Sequence, residues 1–181
     1  MKEKFAVLKI FIRYSLILLA GLGNLFLFYA IFTPLTVYGV FYSLKLFAEV
    51  FLIGNFIILD TLVIELIPAC IAGAAYYLLF ILLMATPDLK ISKRFIILLF
   101  SFAVLLLMNI IRIIFLVLIS NSFYFEEIHL LFWQILSTIF IAVIWFACVK
   151  IFAIKKIPIY SDILFLSSLI KRKKSKRKKK N

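Results

Sequence analysis

The chain is poor in charge. Asp, Glu, Lys and Arg make up 16% of its 181 residues, against about 25% in soluble globular domains. Acid is scarcer still, with 8 Asp and Glu facing 21 Lys and Arg. Cysteine occurs twice, at Cys70 and Cys148, too few for a disulfide scaffold. Histidine occurs once, at His129, and no metal site or cofactor is expected. No internal repeat is evident. What the chain has instead is apolar mass: 66% hydrophobic residues, a mean hydropathy of +1.20, and 21 Phe with 8 Tyr and 2 Trp. That content excludes a disordered chain and makes this an integral membrane protein.

The net charge of +13 is local rather than general. Residues 171–181 (KRKKSKRKKKN) hold 9 basic residues and no acid, and outside them 12 basic residues face 8 acidic ones. The high pI belongs to a tail, so no nucleic-acid partner is expected.

A membrane-crossing helix needs about 20 mostly apolar residues. Four segments qualify: 14–32, 66–86, 95–119 and 130–153. The first exceeds a signal-peptide core in length, and Thr33-Pro34-Leu35 is a poor cleavage site, so it reads as a retained helix. Basic residues cluster before the first helix, in the 87–94 loop and after the last helix, while loops 33–65 and 120–129 hold only Lys45. This places both termini in the cytoplasm. The expected fold is an all-α, multi-pass protein of the plasma membrane. Residues 1–163 form one membrane domain, followed by a polybasic cytoplasmic tail over 164–181.

Residues 35–53 are apolar enough to span, but Lys45 and Glu49 fall in their middle, where charge costs several kcal/mol. An amphipathic or re-entrant segment on the outer surface is the better expectation. Beyond it, residues 56–59 and 62–65 are β-branched, apolar runs separated by Asp60-Thr61, which reads as a β-hairpin.

Polar residues inside apolar spans default to functional hypotheses. At 1.5 Å per residue, Cys70 falls roughly 6 Å inside the outer end of its helix and Arg112 roughly 10 Å inside its own. His129 sits where the last helix enters from the same side. A thiol becomes a nucleophile beside a base or cation. His129 is such a base, and also an acid for a leaving amine. Arg112 suits an oxyanion. Asn109 shares the Arg112 helix face at i, i+3, and Glu126 and Glu127 are positioned to hold the imidazole. Each residue also has a plain structural reading. Cysteine is commonly buried, Arg112 can pair with Glu126 or snorkel, and Gly73, Ala74 and Ala75 suit a close helix contact. Cys148 is assigned to packing.

The run Pro68-Ala69-Cys70-Ile71-Ala72-Gly73-Ala74-Ala75-Tyr76-Tyr77, the Thr86-Pro87 stop, Asn109-Ile110-Ile111-Arg112-Ile113 and then His129 resemble the exosortase/archaeosortase family. With Ile157-Pro158-Ile159-Tyr160-Ser161-Asp162-Ile163, the chain looks most like its small pacearchaeosortase type. The likeness covers roughly residues 54–163. It departs in that many members carry Cys-Ser-Gly or Cys-Thr-Gly, whereas Ile71-Ala72 precede Gly73 here. The resemblance implies a cysteine transpeptidase with Cys70 as nucleophile, Arg112 as stabiliser and His129 as acid/base partner. The implied substrates are surface-protein precursors ending in a motif, a transmembrane helix and a basic cluster, cleaved near the extracytoplasmic face and transferred to a lipid acceptor. The alternative class is a non-enzymatic membrane scaffold or small transporter subunit. The tail as a polybasic anchor to anionic lipid is compatible with both.

Overall fold

A computed structural model of the chain describes residues 2–59, 62–120, 122–131 and 137–178. Helix α1 runs from Lys2 to Leu44, well beyond the 14–32 segment. Its reach past Pro34 has a visible cause. Phe28, Phe32, Thr36, Val40 and Leu44 recur every four residues and are all buried, so one helix face continues through the proline. Within α1 the helix breaks at Leu22–Leu25, where Gly23, Asn24 and Leu25 are left-handed. Gly and Asn adopt that conformation most readily.

Residues 35–53 therefore do not form a separate amphipathic or re-entrant helix. Residues 35–44 complete α1, a turn follows, and β1 spans Phe51–Ile53. Lys45 and Glu49 lie beyond the helix end and are exposed. Strand β2 (Phe56–Leu59) pairs antiparallel with β3 (Leu62–Glu65), the expected hairpin, although its turn at Asp60-Thr61 lies outside the described residues. β1 adds on the other side of β2 to give a sheet ordered β1-β2-β3. The chain is thus mostly helical rather than all-α. Alternation explains which face turns inward: Leu52, Ile57 and Ile64 are aligned across the strands, and Ile57 is fully buried. Phe51 and Val63, on the opposite face, are exposed.

The segment 66–86 is two helices, α2 (Pro68–Ile71) and α3 (Gly73–Met84), separated by Ala72 in the left-handed conformation. α4 covers Ile91–Leu118, close to expectation. The last expected span is represented by α5 (Phe125–Leu131) and α6 (Ser137–Ile151), residues 132–136 lying outside the description. The described part of the tail belongs to α7, Tyr160–Lys178. Two helical stretches are long and apolar enough to cross a membrane, Lys4–Leu44 and Ile91–Leu118, while Pro68–Met84 and Thr138–Ile151 are shorter apolar segments. The outward faces are apolar too, with Leu18, Phe26, Leu99 and Phe146 well exposed. An exterior of this kind fits a lipid surround.

α3 is the central helix and packs against α1, α4 and α6. Its Tyr76 ring stacks on Phe32 at 3.5 Å between centroids, and Phe102 meets both edge-on. Gly73 lets α3 approach α1: a Cβ there would lie 2.7 Å from the Tyr29 ring. Gly73→Ala should therefore destabilise the protein by about 1–3 kcal/mol through overpacking. Thermal unfolding in mild detergent reads this, and adding Tyr29→Ala should remove most of the Gly73→Ala effect.

Candidate active site at the α2–α3 break

α4 carries its buried residues at near-perfect helical spacing: Ile97, Ser101, Leu105, Asn109, Arg112 and Ile113. That stripe turns Asn109 and Arg112 toward the protein interior, where both are at least nine-tenths buried. They meet the end of α2. In a continuous helix the Cys70 carbonyl would accept the amide four residues on. Ala72 ends the helix instead and releases it. The Asn109 side-chain amide donates to that carbonyl at 2.8 Å, and an Arg112 Nη2–H donates to it at 3.4 Å. In apolar surroundings a released carbonyl needs such partners.

The same contact sets the thiol's surroundings. Cys70 is half-buried and unpaired in any disulfide. The Arg112 guanidinium, held at the Cys70 carbonyl, is the cation beside the thiol. Cys70, Asn109 and Arg112, from two separate segments, are therefore gathered at one place.

The other expected residues are placed differently. His129 is exposed on α5, with its ring stacked on Phe125 at 5.7 Å. Among the described residues no hydrogen bond or ion pair joins it to Cys70, Asn109, Arg112, Glu126 or Glu127. Glu126 and Glu127 are exposed in the first turn of α5. Gly73 follows the break and packs on Tyr29. Cys148 is fully buried in α6, as its packing assignment requires. Among the described residues no cluster of His, Cys, Asp and Glu suits a metal ion.

A second polar cluster, at the C-terminal end of α3, has no counterpart in the sequence reading. One Arg13 nitrogen reaches both Asp162 carboxylate oxygens at 2.8 Å, and the Tyr14 hydroxyl donates to the same carboxylate at 3.3 Å. Arg13 also donates to the Met84 carbonyl at 3.2 Å. Arg94 donates to the carbonyls of Leu83, Met84 and Thr86. Two arginines thus satisfy the carbonyls that end α3, and Asp162 holds one of them. The one available signal was that Asp162 is the sole acid in residues 154–181.

No family model, curated protein or solved structure matches this chain. The functional reading consequently rests on the site's own chemistry and on the pattern of residues around it.

Proposed function

We propose that this chain is a membrane cysteine transpeptidase of the exosortase/archaeosortase kind, acting on C-terminal sorting signals. The observation that carries the proposal is the convergence of Asn109 and Arg112 on Cys70. The order and spacing of the motif residues support it independently. In this reading helices α1, α3, α4 and α6 cross the plasma membrane. The distribution of Lys and Arg then keeps both termini in the cytoplasm, with Cys70 toward the extracytoplasmic face.

The chemistry follows from the groups present. The Cys70 thiolate attacks the carbonyl carbon of the scissile peptide bond, and Arg112 stabilises the oxyanion that forms. The C–N bond breaks, the leaving amine takes a proton, and a thioester remains on Cys70. A hydroxyl or amine of a lipid acceptor then attacks the thioester carbon and releases the thiolate. The proton transfers fall to His129, the one imidazole of the chain, exposed on α5. Asn109 orients the Cys70 backbone.

One observation favours a scaffold without chemistry: capping the Cys70 carbonyl is by itself a sufficient structural task for Asn109 and Arg112. Mass spectrometry of surface-protein C-termini separates the readings. Cells holding this chain should carry surface proteins that lack a helix and basic cluster at their C-terminus. Deleting the chain should restore them to full length. C-termini unchanged by deletion would overturn the proposal.

A further inference from the structure

The sheet next to Cys70 has an open edge whose hydrogen-bonding groups can be named. The hairpin register pairs Leu59 with Leu62, Ile58 with Val63, Ile57 with Ile64 and Phe56 with Glu65. The ladder continues one step further, where the Leu66 N–H donates to the Asn55 carbonyl at 3.0 Å. Antiparallel ladders alternate between pairs that exchange hydrogen bonds and pairs that do not. Leu62, Ile64 and Leu66 therefore point their main-chain groups at β2, and Val63 and Glu65 point theirs away from it. The Glu65 carbonyl turns back to accept the Ile67 N–H at 3.2 Å. The Val63 N–H, the Val63 carbonyl and the Glu65 N–H make no hydrogen bond among the described residues. The surface beside them is open: Val63 is 63% exposed, and Glu65, Ile67, Pro68 and Ala69 are exposed as well.

This edge leads straight to the thiol. Four residues, Leu66 to Ala69, separate Glu65 from Cys70, and Cys70 lies in the first turn of α2. The opposite edge, on β1, offers a three-residue strand with only Leu52 pointing outward, and it follows the α1 turn instead. Two of the rows that an added strand would extend are apolar, Leu52, Ile57 and Ile64 on one face and Phe51, Ile58 and Val63 on the other, and the next row on that second face, Ile53, Phe56 and Glu65, ends in a carboxylate.

We propose that the free edge of β3 binds the substrate polypeptide as an added, extended strand of apolar side chains, with Val63 and Glu65 supplying the main-chain hydrogen bonds that bring its scissile carbonyl to Cys70. Strand addition to an open edge is a general mode of peptide capture. The inference rests on the transpeptidase reading for what happens at the thiol, but the binding itself is separately measurable.

The test uses the full chain in lipid nanodiscs with two thiol reagents. Acetyl-Ala-Val-Ala chloromethyl ketone carries a strand, and iodoacetamide does not. Each forms a thioether on Cys70 with loss of halide. Val63→Pro deletes the outward N–H and spares the β2–β3 ladder, because proline is tolerated where its nitrogen faces away from the partner strand. The peptide reagent should slow about tenfold, the loss expected for one or two backbone hydrogen bonds, while iodoacetamide keeps its rate. Peptide alkylation at the wild-type rate in Val63→Pro overturns the proposal. If the variant slows both reagents or fails to accumulate, amide exchange decides in the Cys70→Ala chain. Millimolar acetyl-Ala-Val-Ala-Val-amide should slow exchange at Val63 and Glu65, and the peptide N-methylated on its strand-pairing amides should not. Equal exchange with and without the unmethylated peptide overturns the edge site. Inertness of Cys70 to both reagents in the wild-type chain counts against the transpeptidase reading alone, because exchange at the edge is still measured.

Discussion

Asp162→Ala is expected to lower the stability of the folded protein by about 3–5 kcal/mol, the usual cost of removing one partner from a buried ion pair. The Asp162 side chain is 5% exposed and that of Arg13 13%, so water does little to replace the lost carboxylate. The loss is larger than for an isolated pair because of what surrounds it. Arg94 lies in the same cluster and interacts electrostatically with both Arg13 and Asp162. Alanine at 162 would leave two guanidinium groups together with no carboxylate between them. The damage would also spread across elements, since the cluster joins α1, the end of α3, the start of α4 and α7. Unfolding followed by tryptophan fluorescence in mild detergent reads the change. Asp162→Asn should cost less, because an amide oxygen still accepts from Arg13. The Arg13→Ala/Asp162→Ala pair should recover part of the loss, since one of the two uncompensated cations is gone. A Lys156–Asp88 contact at 3.8 Å provides the internal comparison. Both side chains are more than half exposed, and Asp88→Asn should scarcely move stability, as surface pairs generally behave.

The contrast between these two ion pairs shows which parts of the molecule could be read in advance. Arg13 and Asp162 are 149 residues apart, and no local pattern announces a pairing of that range. Periodicity, by contrast, is local. The i, i+3 spacing that sets Asn109 and Arg112 on one face of α4 is written in the sequence, and so are the two β-branched, apolar runs that make 56–59 and 62–65 a hairpin. Proline removes a helix hydrogen bond, yet the buried stripe of α1 passes through Pro34 without interruption. The break at Ala72 was invisible for a different reason. Alanine is the best helix former, so its left-handed conformation there is imposed by packing around Ile71 and Gly73 rather than by any preference of its own. Depth along the helices put Cys70 and Arg112 in one layer, and the i, i+3 spacing set Asn109 on the Arg112 face; both Asn109 and Arg112 contact the Cys70 carbonyl. Depth also put His129 in the same layer, and depth alone does not fix the side of a helix on which a residue lies.

The break at Ala72 also supplies the sharpest test of the site. Asn109 and Arg112 bind the carbonyl of Cys70, not its sulfur. Cys70→Ala keeps that carbonyl and exchanges one small side chain for another, so the fold should persist with little change in stability. The scaffold reading then predicts no phenotype at all, whereas the transpeptidase reading predicts that processing falls by about 10⁴–10⁶-fold, as when a covalent nucleophile is removed. Asn109→Ala behaves in the reverse sense. It leaves the Cys70 carbonyl, among the described residues, with only the 3.4 Å contact to Arg112 and should cost about 1–3 kcal/mol of stability under either reading. Arg112→Lys retains a cation but loses the planar fork of donors. In the transpeptidase it should reduce turnover by about 10²–10³-fold, the scale of one lost oxyanion donor, with a smaller effect on unfolding. Measuring turnover and unfolding on the same three preparations therefore gives a pattern rather than a single loss. Activity lost at Cys70 with stability retained, alongside stability lost at Asn109, is the signature of a thiol that reacts while its backbone holds the site together. Wild-type processing by Cys70→Ala would assign the whole cluster to structure.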